Sequence, residues 1–436
     1  MLTGRIRADV DQVWDRIWSS GVSNPLTCVE YIAVILAATR SPEGDRLERA
    51  LGQGDVDGVA ASLERVHDST GLGSRALTDE HSPWRDLSTV QASYEVLRDL
   101  HVTDRNHDLV GDIFEYVLSK LSTAGQFGQF RTPRHIIRFI VDAVDPRPGE
   151  TILDPACGTG GFLIAAAEHL SRWRTSPETR YIGQEVDTTV GRLAKSNLYL
   201  HDVPNSVVQV GDSLGDTTTR ADVVLANPPF AGMVSADRVA SYRCGSSRTE
   251  MLFLEHMMSA LNEGGRAGVV VPFGVLTSTN ASAVYIRRSM VEDHGLTAVV
   301  ELPPGVFRPY TDVRTALLFW TGHAVTQDIL FARATSDGYT LDDRRTECTL
   351  NDIPAILEVL RGSTPPDGRL AVARPASSLE RDRYILNPSR YLESSVERSP
   401  VGDTREFAAV IDDITDRLHE ITQLVTTLRK ADSDEH

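Results

Sequence analysis

Residues 223–230 read VVLANPPF: a β-branched and leucine run, then Asn227, Pro228, Pro229 and Phe230. The apolar run has the character of a buried strand in a parallel sheet. Consecutive prolines stop both helix and ladder, because neither has an N–H and both fix φ. A carboxamide, a kinked backbone carbonyl and an aromatic ring at a strand end suit a flat, amine-bearing ligand. The two oxygens would accept the amine hydrogens and the ring would stack on the ligand. The same residues also fit an ordinary strand terminus, and an isolated aromatic more often fills a core.

A second stretch, ILDPACGTGGF (152–162), narrows the choice. A strand ends at Asp154, a turn with Gly158, Gly160 and Gly161 follows, and a helix begins. Glycine there permits positive φ and close approach of a ligand to the backbone. No lysine follows as in a P-loop. An acid at the strand end is a poor partner for a pyrophosphate and a good one for a cation or amine. The next strand ends in GQEVD, which puts Glu185 where doubly wound folds carry a ribose-binding carboxylate. Asp187 reads as the N-cap of the helix after it. The third strand ends in VGDSL and brings Asp212 to the same rim, where it can accept from an adenine amine. Each acid alone is an ordinary cap or turn residue. Three in succession beside one glycine turn describe a pocket for an adenosyl group with a positive centre and no phosphates, namely S-adenosylmethionine. No metal is called for.

The elements that must hold these residues alternate. RHIIRFIVDAV is an amphipathic helix, TILDPAC a strand, FLIAAAEHLSRW a helix, RYIGQEVD a strand, RLAKSNLYLH a helix and VVQVGD a strand. After DVVLANPP come the helix EMLFLEHMMSAL, the strand RAGVVVP, a helix near 283–293, and strands in LTAVVELP and TALLFW. Such alternation predicts an α/β, doubly wound, Rossmann-like sheet with room for an antiparallel edge. Residues 1–121 carry helical periodicity in VDQVWDRIW, EYIAVILAATR, SYEVLRDL and VGDIFEYVLSKL, and predict a helical domain. The catalytic domain is expected over 122–322, with a Gly/Ser/Thr-rich stretch at its start. A mixed extension without strong periodicity follows over 323–403. In 404–430, Phe407, Ile411, Ile414, Leu418, Ile421, Val425 and Leu428 step by four and three. That seam predicts a C-terminal helix packed on other helices, either its own domain's or a partner's.

Composition bounds the rest. Hydrophobic content of 41% and charged content of 24% over 436 residues fit a globular protein of two or three domains. A net charge of −17 lacks the basic footprint of a chain that grips DNA alone, so any nucleic-acid role relies on local patches or a basic partner. Cys28, Cys157, Cys244 and Cys348 show no paired spacing, which argues against zinc or a disulfide framework and for a reducing cytosol. No signal-like or membrane-length apolar run is present, so a cytoplasmic, membrane-free protein is expected.

DPACGTGGF followed by NPPF resembles the adenine-N6 DNA methyltransferases, and among them the modification subunits of Type I restriction–modification systems. The resemblance extends to VGDIFEYVLSKL…GQFGQFRTPRHII, GQEVDTTVGRLAKSNLYLH, EGGRAGVVVPFGVL, ELPPGVFRPYTDVRTALLFW and YILNPSRYL, in the family's order. Arg131 departs from the aromatic usual at its position. The resemblance implies cofactor contacts from Phe130, Thr132 and Pro133 and, in the turn, from Ala156, Gly158, Thr159, Gly160, Gly161 and Phe162. Thr132 would meet the methionine carboxylate, Asp154 the amino group, Glu185 the ribose hydroxyls and Asp212 the adenine. It also implies a flipped adenine, a DNA-specificity subunit engaged through the C-terminal helix, and a restriction–translocase subunit as a further partner. Methylation of an RNA base or a protein glutamine is the rival chemistry, since Asn-Pro-Pro-aromatic serves there too. A scaffold that keeps the fold without the reaction is the non-catalytic rival.

Overall fold

Among the described residues, helices build the N-terminal part: α1 (Gly4–Ser19), α2 (Pro25–Thr39), α3 (Glu43–Gln53), α4 (Val56–Thr70), α5 (Leu87–Thr103) and α6 (Leu109–Thr123). The computed structural model describes residues 2–22, 24–73, 83–103, 109–123, 132–173, 178–216, 218–230, 232–322, 327–365 and 367–392. Met1–Leu392 form one unit and Glu393–His436 another. The second unit, with the 404–430 seam, lies outside the described residues, as do Phe130 and Arg131.

Side-chain caps start several helices: Asn24 accepts from the Leu26 amide at 3.0 Å and Asp55 from the Gly58 amide at 3.0 Å. Helix α2, PLTCVEYIAVILAAT, is apolar on nearly every face and buried from Cys28 to Ala38. It is the axis on which the other helices lay their apolar stripes. Leu193 and Leu200, from the α/β part of the same unit, join that core.

Beyond residue 132 the expected alternation holds: α7 (Arg134–Val144), β1 (Thr151–Asp154), α8 (Gly161–Leu170), β2 (Arg180–Glu185), α9 (Thr188–Leu200), β3 (Ser206–Val210) and β4 (Ala221–Ala226). Next come α10 (Ala236–Val239), α11 (Thr249–Ala260), β5 (Leu261–Pro272), α12 (Gly274–Thr277), α13 (Ala281–Glu292), β6 (Leu296–Glu301) and β7 (Thr315–Thr321). The last elements are β8 (Asp328–Arg333), β9 (Asp337–Tyr339), β10 (Glu347–Asn351), α14 (Ile353–Leu360) and β11 (Ala371–Pro375). Strand order in the main sheet is β11-β8-β6-β7-β5-β4-β1-β2-β3, with β9 and β10 paired separately.

Two details differ from the sequence expectations. The antiparallel strand β7 runs inside the sheet, between β5 and β6, while β11 is antiparallel at the edge. Within the stretch after 322, where no strand was expected, β8 and β11 continue the main sheet. Their pairing partners lie far away in sequence, so no local periodicity announces them. Helix α7 lies close on β5 because Gly268 has no side chain. A Cβ there would come 2.6 Å from Ile140 Cγ2 and 2.7 Å from Val144 Cγ2.

The helical layer docks on α9 through one buried ion pair. The Glu30 carboxylate, 4% exposed, accepts from Arg192 Nε at 2.8 Å. Arg40 Nη1 also donates to the Leu200 carbonyl at 3.0 Å. Removing one partner of a buried pair strands the other charge, at a cost of about 3–5 kcal/mol. With the Arg192 side chain 28% exposed, Glu30→Ala is expected near the lower end, about 3 kcal/mol. Denaturant unfolding measures this.

Candidate active site

Strand β1 pairs in parallel with both β2 and β4, with Leu153 opposite Val224. The chain runs outward from β1 through β2 to β3, then crosses to the other side of β1 as β4. This is the switch point of a doubly wound sheet, where the strands' carboxyl ends leave a crevice. Asp154 ends β1, and Asn227 follows β4 directly. Both line one cavity with Thr132, Ala156, Gly158 and Thr159, enclosing about 1040 Å³ of empty space including its open mouth.

The glycine turn is built by backbone constraint. Gly158 has φ 53° and Gly160 has φ 84°, a conformation that costs glycine nothing, and Gly160 opens α8. The Cys157 amide donates to the Gln184 carbonyl at 2.9 Å, and Asn197 Nδ2 donates to the Thr159 carbonyl at 2.9 Å. Glu185 clamps the turn: one carboxylate oxygen accepts from the Gly158 amide at 3.1 Å and the other from the Asp187 amide at 3.0 Å.

Asn227 is held by its own amide. Its Nδ2 donates to Thr132 Oγ1 at 2.9 Å, and its Oδ1 is buried with no hydrogen-bond partner. A threonine hydroxyl accepts while keeping its own proton for another acceptor, so Thr132 remains able to donate to a ligand.

The other expected residues are distributed unequally. Gly161 and Phe162 line the cavity with the turn, whereas Gly160, Glu185 and Asp212 are not part of its wall. Asp187 caps α9, accepting from the Thr189 and Val190 amides. Asp212 caps a short 3-10 turn through the Leu214 amide at 3.1 Å and pairs with Arg238 Nη2 at 2.7 Å. Pro133 precedes α7 and faces a neighbouring groove. Pro228 is buried, Pro229 is exposed, and Phe230 is half-buried against the core; none of the three lines the cavity.

The sequence profile of the N-6 DNA methylase family matches residues 105–399. The chain is 33% identical over 243 residues to the methylase subunit of the Type I restriction enzyme EcoEI of Escherichia coli, covering 52% of this chain and 49% of that one. It is 30% identical over 262 residues to the EcoKI methylase subunit of E. coli K12, covering 55% and 49%. The structure of the type I restriction-modification system methyltransferase subunit from Streptococcus thermophilus superposes with a TM-score of 0.68 at 21% identity, covering 89% of this chain and 99% of that one. The chain belongs to the N-6 DNA methylase family. It spans about half the length of the two curated relatives, and the likeness to the solved structure speaks to the fold.

Several residues of this N-6 DNA methylase family member carried no signal in their spacing. Thr249 Oγ1 donates to the Pro229 carbonyl at 3.1 Å and accepts from the Gly232 amide at 3.1 Å, so it pins the turn after Asn227. Arg134, on the cavity wall, is fixed by Asp112 and Glu115, each at 2.9 Å. Arg134 directly follows the Thr-Pro pair, the one hint available. Glu115 sits in VGDIFEYVL, where it reads as a solvated helix residue.

Asp154 defines the electrostatics. It is 1% exposed, and burial pushes its carboxyl up to about 8, helped by the charge of Glu185 and opposed by the Ala156 amide 3.1 Å from Oδ1. From the unfolded value of about 4 up to about 8, the native chain therefore holds a proton that the unfolded chain has lost. Stability contributed by this group falls as pH rises through that window, and changes no further above it. A ligand ammonium against Asp154 reverses the preference for the protonated form. Binding of such a ligand near pH 6 is expected to release about one proton, and Asp154→Asn to abolish the release. Calorimetry in buffers of different ionisation enthalpy reads this directly.

Proposed function

We propose that this chain transfers a methyl group from S-adenosylmethionine to the N6 amine of an adenine in DNA, as the modification subunit of a Type I-like restriction–modification system. The observation that carries the proposal is the buried, unpartnered Oδ1 of Asn227, a residue that lines one cavity with Asp154 and the Gly158 turn. A buried acceptor without a donor costs about 1–3 kcal/mol, and an amine of the substrate relieves it.

The residues fit the cofactor. Burial holds Asp154 protonated near pH 7, a cation beside it favours its ionised form, and the positive-φ turn leaves the backbone open to a ligand. Asp154 would take the amino group, and the Thr132 hydroxyl the carboxylate. Glu185 and Asp212 would take ribose and adenine through lone pairs left over by the bonds they already make. When bound, S-adenosylmethionine supplies an electrophilic methyl on a sulfonium sulfur.

The rest of the chemistry belongs to this chain. The target adenine leaves the duplex at a cost of a few kcal/mol. Phe230 offers its ring to the extruded base. Asn227 Oδ1 and the Pro228 carbonyl accept the two amine hydrogens, which localises the nitrogen lone pair and aims it at the methyl. The same oxygens stabilise the positive charge that builds on the nitrogen as its bond to the methyl replaces the methyl's bond to sulfur, and one of the two amine protons then leaves to water. Two prolines and Thr249 keep these acceptors from relaxing away.

Sequence choice is assigned to a partner. A net charge of −17 leaves little for phosphate contact, and the 404–430 seam is proposed to engage the helices of a DNA-specificity subunit. A restriction–translocase subunit would join the same assembly. The purified chain alone is expected to methylate DNA poorly, and addition of its specificity subunit to restore the reaction.

Mass spectrometry of nucleosides from DNA treated with the complex is expected to show 6-methyladenine. Asn227→Ala is expected to lower the rate by about 10²–10³-fold while cofactor affinity stays within a few-fold. Methylation of RNA or of a glutamine instead, or a fully active Asn227→Ala, contradicts the proposal.

A further inference from the structure

A second, open groove shares Glu115, Thr132 and Arg134 with the cofactor cavity. Five arginines line it (Arg7, Arg134, Arg308, Arg344 and Arg345) against the carboxylates of Asp112, Glu115 and Asp343. Asp312 and Asp337 pair with two of these arginines from just outside the wall, so the groove is close to neutral on a chain whose total is −17. The arginines are not equivalent. Arg134 is consumed by Asp112 and Glu115. Arg345 pairs with the fully buried Asp337, which also bonds His135 at 2.8 Å, so it ties the β9–β10 hairpin to α7. Arg308 bonds Asp312 at 2.6 Å.

Arg7 and Arg344 remain. Both are exposed, and among the described residues neither has a carboxylate within 4.0 Å, although Asp11 and Asp342 lie near enough to feel the charge of Arg7 and Arg344 respectively. Arg7 is steered by the Tyr116 ring, whose centroid lies 5.7 Å from its guanidinium carbon. Both guanidiniums face water in the groove and stay available to an external anion, on a chain that carries 61 acidic residues. Tyr310 lines the same groove with 39% of its surface exposed, a flat apolar face beside the cations.

We infer that this groove holds the target DNA strand next to the everted adenine, with Arg7 and Arg344 on its phosphates and Tyr310 against a neighbouring unstacked base. The identity of the strand rests on the methyltransferase proposal, because Thr132, which orients Asn227, forms part of the groove wall. Guanidiniums with an aromatic platform are the pairing that single-stranded nucleic acid calls for: charge for the backbone, a ring for a base. An acidic peptide would use the cations and leave the tyrosine face without a role.

The test uses the full chain and a short, fluorescently labelled single-stranded DNA, with anisotropy read from about 50 to 200 mM salt. Removing one arginine from a phosphate flattens the slope of log K against log salt by about 0.7 on a single strand. Arg7→Ala and Arg344→Ala are each expected to show that flattening, Arg344→Lys to restore the slope, and Tyr310→Ala to weaken binding several-fold at unchanged slope. Arg180→Ala removes the same charge at the amino end of β2, the opposite rim of the sheet, and is expected to leave the slope at the wild-type value. Wild-type slopes in both groove variants, equal flattening by Arg180→Ala, or no DNA binding at the lowest salt overturns the assignment. Thermal melts of the variants confirm that they fold. Adenine methylation with unaltered groove slopes sinks the groove alone. Altered slopes without adenine methylation sink the methyltransferase proposal alone.

Discussion

The hydrogen bond from Asn227 Nδ2 to Thr132 Oγ1 spans 95 residues of sequence and joins the end of β4 to the start of α7. It fixes the plane of the carboxamide and, by occupying the donor side, leaves the acceptor side without a partner in a buried place. The neighbouring prolines deny the backbone any relaxation toward that oxygen, and Thr249 holds the turn from behind. An unsatisfied acceptor is thus built into the native state, and its cost falls within what a well-packed core of this size offsets.

Asp154 presents the complementary problem on the adjacent strand. Burial makes it an acid that holds its proton close to neutrality, with no cation beside it among the described residues. One orphan wants an amine hydrogen and the other wants a positive charge. The crossing of the chain over β1 puts them in one crevice. The elements around them supply rigidity: the glycine turn clamped by Glu185, α7 pressed on β5 at Gly268, and the helical layer bolted to α9 through Glu30 and Arg192.

Much of this was legible in the sequence because it is local. The glycine turn between a strand and a helix, the Pro-Pro stop and the alternation of periods are each written in consecutive residues, and β1 to β7 form where those patterns place them. What was illegible depends on pairing across the fold. Strands β8 and β11 join the sheet through partners that no periodicity names, and β7 inserts between β5 and β6 by tertiary register. Thr249, Arg238 and Glu115 look like surface residues until the chain folds them against the site. Conversely, Glu185 and Asp212 are at the strand ends as expected, but their carboxylates hold backbone amides and Arg238 rather than facing the cavity.

At the centre of this arrangement, Thr132 orients the Asn227 carboxamide in addition to any contact with the cofactor. Single-turnover methyl transfer by the assembled complex, at saturating S-adenosylmethionine, separates the two roles in Thr132→Ser and Thr132→Val. The serine hydroxyl keeps the acceptor, so its rate should stay within a few-fold of wild type. Valine should slow the transfer step by about tenfold or more, in line with the loss of about 1.4 kcal/mol or more of orientation. A valine variant that transfers methyl at the wild-type rate, and differs only in cofactor affinity, would contradict the account.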